Sequence, residues 1–334
     1  MKTSLKKLSA TRRKTVSVSA ASMIKAKQLH SDRLLPLVVE PFNQQLNLLA
    51  WAKSNRTWIE DNLSQHGGIL LRFKVSSARE FEEFIEVVGG KLLDYTYRST
   101  PRSQVEGKIY TSTEYPANQS IPLHNEMAYS RQYPQKIGFF CPQPAKEGGE
   151  TPIADSRRVF ENIKPEVKER FRHKQVMYVR NYGQNLDLPW QNVFQTTNKS
   201  DVEDYCTRAG IEWEWLGCDR LRTRQVCQAI ATHPYTKEEV WFNQAHLFHI
   251  SNLPAAARTA LLTELGEAKL PRNAYYGDGE AIEASTLESI RAVYDRETIK
   301  FSWAKGDVLL LDNMLAAHGR MPFVGSRQVL VGMT

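Results

Sequence analysis

The sequence predicts an α+β protein with a curled β core of the jelly-roll kind. Three observations carry that expectation. Short runs of strand formers bounded by turn residues recur along the chain, helical patterns are scattered among them, and no internal repeat is visible. With 334 residues the chain has room for one large domain or two ordinary ones, and its apolar residues suffice for a buried core.

Residues 1–30 carry few large apolar groups and are expected as a basic, flexible N-terminal tail ahead of a single domain over 31–334. The apolar run 34–39 holds Pro36 and suits an edge strand or an extended lead-in. Leu46, Leu48, Leu49, Trp51, Ala52, Trp58, Ile59 and Leu63 recur at helical spacing and predict one helix over 46–63, stopped by His66-Gly67-Gly68. A strand over 69–73 follows. Ser77 then caps a helix with a buried stripe of Phe81, Phe84, Ile85 and Val88 and a stop at Gly89-Gly90. Tyr95, Tyr97, Ile109, Tyr110, Thr111 and Thr113 are strand formers, interrupted by a turn at 101–103. Beyond a strand at 136–141 and a turn at 146–150, a helix starts near Ser156 or Pro165.

The stretch 175–225 is read as a long insertion with some helix near 201–209, held to the core by Trp190, Phe194, Trp213 and Trp215. A strand at 240–242, helices over 255–265 and 287–294, and a turn at 275–280 come next. Strands at 301–303, 308–311 and 327–333, with a turn at 305–307, close the chain.

The formal charge of +7 suggests a nucleic-acid partner until its location is considered. Residues 1–31 hold eight Lys and Arg and no acid, which leaves 36 basic against 37 acidic residues in the remainder. A neutral folded part offers no basic footprint for DNA or RNA. The basic, Ser-rich start resembles a transit peptide in composition, but it is expected as a solvated tail. Cys141, Cys206, Cys218 and Cys227 form no C-x-x-C pair or framework, so reduced thiols and a cytoplasmic location are expected. No run is apolar for long enough to cross a membrane.

The residues that suggest chemistry lie nearly two hundred positions apart. His124 and Glu126 stand two apart, so on extended backbone their side chains leave the same face, and His318 would complete a set of three ligands. Two imidazoles and a carboxylate on one side of an octahedral ion leave the other positions open, which suits non-haem Fe(II) binding an oxidant and O₂ together. The spacing alone is weak. His30 and Asp32 repeat it at the end of the tail, and His246 with His249 is a possible i, i+3 zinc pair.

Two companions strengthen the first set. Arg327 lies nine residues after His318 beyond a Pro/Gly turn, where a hairpin could return it to face the free end of a chelating dicarboxylate; Arg320 is the alternative. The plain reading of Arg327 is a surface ion pair at a strand edge. In Gly148-Gly149-Glu150-Thr151 the glycines permit close approach and the Thr151 hydroxyl could donate to the same carboxylate, although the segment also reads as a simple turn.

The segments PLHNEMAY, KIGFFC, EGGETPIAD, VWFNQAHLFH, YYGDGEAIE and DVLLLDNMLAAHGRMPFVGSR, taken in order, resemble the taurine dioxygenase and clavaminate synthase superfamily of Fe(II)/2-oxoglutarate oxygenases. They look most like its hydroxylases of nonribosomal peptide pathways, including the syringomycin-pathway aspartyl hydroxylase. The resemblance covers roughly residues 30–334. It implies a double-stranded β-helix, iron on His124, Glu126 and His318, and 2-oxoglutarate on Arg327 and Thr151. It also implies decarboxylation to succinate coupled to oxidation of an unactivated C–H by O₂. Many members carry Asp where this chain has Glu126, while clavaminate synthase-like members also use Glu. Halogenases of this type lack the carboxylate, so Glu126 argues against halogenation.

The expected reaction is hydroxylation of an amino acid, free or tethered to a carrier protein, for whose docking the basic tail is a candidate. Desaturation or cyclisation is the alternative within the same chemistry, and a non-catalytic metal-binding β-barrel is the alternative outside it. Arg98, Arg102 and Asn313 lie near the motifs and could read a substrate's carboxylate or amide. Asn243 and His246 read first as hydrogen-bonded core residues.

Overall fold

A computed structural model describes residues 23–97, 99–100, 102–113, 115–183, 188–217 and 219–334. Strands β1 (Ile24–Gln28) and β2 (Leu37–Pro41) pair antiparallel. Pairing thus begins inside the stretch expected as a tail. Of β1 only Ile24 is buried, so backbone hydrogen bonds to β2 order this strand and composition does not reveal it.

The single helix predicted over 46–63 is two, α1 (Leu48–Ser54) and α2 (Arg56–His66). Asn55 breaks it at φ −130°, with its side-chain amide donating to the Trp51 carbonyl at 2.7 Å. The apolar spacing continues across the break, which is why periodicity conceals it. Strand β3 (Gly68–Leu71) precedes α3 (Ala78–Gly89). That helix starts where the Ser77 hydroxyl accepts the Glu80 N–H at 3.1 Å and stops at Gly90, φ +86°.

Of the next strand formers only β4 (Gln104–Glu106) and β5 (Ile109–Thr111) pair. Tyr95 and Tyr97 lie in irregular backbone and are held by ring packing, Tyr97 against Tyr129, Phe194 and Tyr205. Then come β6 (Ile121–His124), β7 (Lys136–Gln143), β8 (Glu147–Gly148) and β9 (Ile153–Asp155). Both candidate helix starts are real: α4 (Ser156–Asn162) is capped by the Asp155 carboxylate, and α5 (Pro165–Lys174) has Pro in its first turn.

The stretch 175–225 has a helix where 201–209 was expected, with strands on either side of it. It holds β10 (Val176–Tyr182), α6 (Trp190–Phe194), α7 (Lys199–Ala209), β11 (Glu212–Leu216) and β12 (Arg220–Cys227). In β12 Leu221, Thr223, Gln225 and Cys227 point inward between more exposed neighbours. The period is that of a strand, carried by side chains too polar to look like core. The chain continues through β13 (Ile230–Thr232), β14 (Glu239–Trp241), α8 (Ala245–Phe248), α9 (Ala255–Leu265), β15 (Arg272–Tyr276) and α10 (Ala284–Glu297). It ends with β16 (Val308–Asp312), β17 (Ala316–Arg320), β18 (Phe323–Val324) and β19 (Gln328–Met333). Phe301 and Trp303 form no strand and are buried by their rings alone.

The main sheet runs β1-β2-β3-β16-β7-β19-β5-β4, and a small sheet runs β6-β17-β9. Alternation along the strands assigns their faces. Val308, Leu310, Phe140 and Leu330 pack under α1–α3, whereas Leu309, Leu311, Phe139, Val329 and Val331 share a core with Ile153 and Ala316 of the small sheet. The two sheets are the facing walls of a jelly roll. Strands β10, β11, β12 and β15 form a separate sheet, order β11-β12-β10-β15, packed with α6, α7, α8 and α10 around its own core.

Candidate active site

Register brings the distant histidines together. Strand β17 lies antiparallel to β6 with His318 opposite His124, and their ring centroids are 4.5 Å apart. Glu126 is not on the strand, contrary to the expected alternation; it sits in the turn that follows β6. Asn313, in the turn between β16 and β17, holds it there. The Asn313 side chain accepts the Glu126 N–H at 2.7 Å and donates to the Glu126 carbonyl at 2.9 Å. Asp312 fixes that turn by accepting the Met314 and Leu315 N–H groups at 2.9 and 3.1 Å. One ligand atom from each of His124, Glu126 and His318 lies within 4.8 Å of the others, a group that could hold a metal ion.

The protonation states fit that use. The Pro122 carbonyl can only accept, so the His124 Nδ1 at 2.8 Å carries its proton and Nε2 keeps the lone pair. Burial holds both imidazoles below the ordinary histidine range, His318 well below it, and so favours the neutral form that ligates. Phe139 packs on the His318 ring at 4.9 Å. Arg102 donates to the Glu126 carboxylate at 2.7 Å and lies 4.4 Å over the Tyr95 ring.

A small cavity beside this group is lined by His124, His318, Thr151, Phe139, Arg327 and Val329, among others. Arg327 enters it as a half-buried cation that forms no ion pair among the described residues; its Nε donates to the Gly149 carbonyl at 2.9 Å. Burial pulls its pKa down to about 10, so an incoming carboxylate would be met by a guanidinium short of a counter-charge. The Thr151 hydroxyl accepts from the Trp303 indole N–H at 3.0 Å, which leaves the hydroxyl proton to donate onward. Arg320 is otherwise engaged, donating to the carbonyls of Tyr115, Pro116 and Gln119 at 2.9, 2.6 and 2.8 Å. Geometry thus favours Arg327 over Arg320 for a dicarboxylate.

The Gly148-Gly149 segment serves as a turn and packs against the Arg327 side chain. Gly148 has φ +68°, and a Cβ there would lie 2.3 Å from the Pro322 carbonyl oxygen; at Gly149, φ +73°, it would meet the Arg327 side chain at 2.9 Å.

The remaining candidates separate clearly. Arg98 lies outside the described residues. Asn313, expected to read substrate, is fully buried, and its second amide hydrogen goes to the Pro134 carbonyl at 2.8 Å. Asn243 bonds within the core, to the Ala229 carbonyl and the Ala245 N–H. The suggested zinc pair does not form: His246 donates to the Leu123 carbonyl at 3.1 Å and stacks on Tyr294, while His249 accepts the Ser251 N–H. His30 and Asp32 are exposed and belong to no ligating group among the described residues. Sequence reasoning missed Trp303 and Phe139 at the site. Aromatics in apolar runs carry no signal that separates them from core.

A jelly roll that gathers two imidazoles and a carboxylate on its small sheet, with a carboxylate-seeking cation close by, suits an oxidation in which a dicarboxylate shares the metal. That is the class of the Fe(II)/2-oxoglutarate-dependent oxygenases. The chain belongs to the taurine catabolism dioxygenase TauD, TfdA family, whose model matches residues 31–334. It is 44% identical over 276 residues to the dapdiamide synthesis protein DdaC of Enterobacter agglomerans, covering 82% of this chain and 84% of that one. It is 30% identical to a clavaminate synthase-like protein of Arabidopsis thaliana, covering 91% and 94%. Among solved structures, PvcB of Pseudomonas aeruginosa shares the fold at a TM-score of 0.55 and 15% identity, covering 97% of this chain and 94% of that one. The protein is therefore an iron- and 2-oxoglutarate-dependent dioxygenase. No helix among the described residues is long and apolar enough to cross a membrane.

Proposed function

We propose that His124, Glu126 and His318 hold Fe(II), that Arg327 and Thr151 hold the distal carboxylate of 2-oxoglutarate, and that the enzyme hydroxylates an unactivated C–H of an amino acid, free or carrier-tethered. The observation that carries the site assignment is the His318–His124 register with Glu126 alongside, next to a half-buried arginine that forms no ion pair among the described residues. With 2-oxoglutarate and O₂, bound iron supplies C–H oxidation coupled to loss of CO₂ and release of succinate. The protein's own part is to present neutral imidazoles, fix the Glu126 backbone through Asn313, orient the dicarboxylate between Thr151 and Arg327, and supply apolar walls with Phe139 and Val329.

A biosynthetic setting is supported by DdaC, named for dapdiamide synthesis, and by a structural neighbour described as coming from an isonitrile synthetic pathway. A panel of free and carrier-bound amino acids, incubated with Fe(II), 2-oxoglutarate and O₂, tests the reading. A substrate of this enzyme raises succinate formation and gains one oxygen atom. A product that loses two hydrogens instead establishes desaturation or cyclisation. Succinate formation that no amino acid stimulates would contradict the substrate class.

A further inference from the structure

Glu126 has a partner that the metal-ligand reading does not use. Arg102 donates from Nη2 to Glu126 Oε2 at 2.7 Å, with the two side chains only 3% and 4% exposed. Its guanidinium also lies 4.4 Å over the Tyr95 ring, and Nη1 is 3.9 Å from the Met333 sulfur. The guanidinium is thereby held by three separate segments of chain. Arginine stays charged under all working conditions, and its planar fork can stack and donate together in a way the compact ammonium of lysine cannot. The oxygen it meets also faces His318, whose Nε2 is 3.7 Å away.

We infer that Arg102 is a positioning residue of the metal centre: it holds the Glu126 carboxylate towards the two imidazoles and, by drawing charge from it, weakens it as a donor to iron. The inference rests on the assignment of His124, Glu126 and His318 as ligands. Outer partners of this kind set ligand orientation and the electronic state of the metal. Arg102 also lines the small cavity, but the group its guanidinium meets there is the Glu126 carboxylate, which is the observation behind a positioning role rather than the substrate-reading one suggested by sequence position. Metal affinity is a poor discriminator here. Removing a cation near Fe(II) strengthens binding, while loosening Glu126 weakens it.

The energy of the charge transfer from Fe(II) to chelated 2-oxoglutarate gives a clear sign. A stronger carboxylate donor makes the iron richer in electrons, so the visible band moves to longer wavelength. The full chain, loaded anaerobically with Fe(II) and 2-oxoglutarate, is compared as wild type, Arg102→Met and Arg102→Lys. The expected result is a band shifted to longer wavelength in Arg102→Met that returns towards the wild-type position in Arg102→Lys. If Arg102→Met does not fold, Arg102→Gln, neutral but polar, carries the same expectation. A neutral variant whose band coincides with wild type overturns the inference and leaves the cofactor assignment standing; a higher substrate KM with an unmoved band identifies a substrate reader instead. Absence of the band in the wild type removes the metal assignment and this inference together.

Discussion

Arg327 makes the sharpest contrast between a residue's sequence context and its place in the fold. Its position after a Pro/Gly turn is equally compatible with a surface ion pair, yet the half-buried side chain lines the same cavity as the histidines and meets a backbone carbonyl instead of a carboxylate. Replacing it with Ala should weaken 2-oxoglutarate binding by about 1.5–3 kcal/mol, the net worth of a hydrogen bond to a charged group, while Fe(II) still binds. Titration of the iron-loaded variant measures this, and unchanged cosubstrate affinity would sink the assigned role. Asn313→Ala should act differently. It strands the N–H and carbonyl of Glu126 and the carbonyl of Pro134, at about 1–3 kcal/mol for each buried group, so both the thermal midpoint and Fe(II) affinity should fall. His124, Glu126 and His318, which the fold brings together, were legible as residue types, although Glu126 reaches the group from a turn and not by strand alternation. Asn313 was noticed and misread, because nothing in a sequence distinguishes an amide that meets substrate from one that bonds backbone.

Turns and caps explain which elements the sequence reveals. The Ser77 cap and the Gly89-Gly90 stop were legible because each depends on local chemistry, and Ser77→Ala should lower unfolding stability by about 1 kcal/mol without altering cosubstrate binding. The break at Asn55 and the strand β12 were not, since the first is a local bond inside a continuous apolar pattern and the second buries Thr and Gln. The β8 turn joins both kinds of information. Gly149→Ala places a methyl in a left-handed residue and against Arg327, so 2-oxoglutarate affinity should drop while Fe(II) binding stays near wild type. Equal loss of both would mean that the turn supports the whole centre rather than the cosubstrate side alone.

Across the whole molecule, the jelly roll was foreseeable from short strands with scattered helices, but the second sheet was not, because its strands are contributed by segments from β10 to β15. Two histidines beside that sheet, His246 and His249, make the fold sensitive to acid. Burial lowers the pKa of His246 to about 3 and of His249 to about 4, against an ordinary value near 6.5. The unfolded chain therefore takes up protons first, and stability falls as pH drops below about 6.5 towards those values, by about 2 kcal/mol at pH 5 for His246 alone. Denaturant unfolding across this range should show the slope, and a His246→Gln variant should show less of it. The group of His124, Glu126 and His318 in the jelly roll has a direct test. Purified apo-protein is titrated anaerobically with Fe(II) and then with 2-oxoglutarate, alongside His124→Ala. A visible charge-transfer band in the wild type and its absence in the variant are the predicted results; folded, iron-bound wild type without the band would contradict the assignment of both metal and cosubstrate.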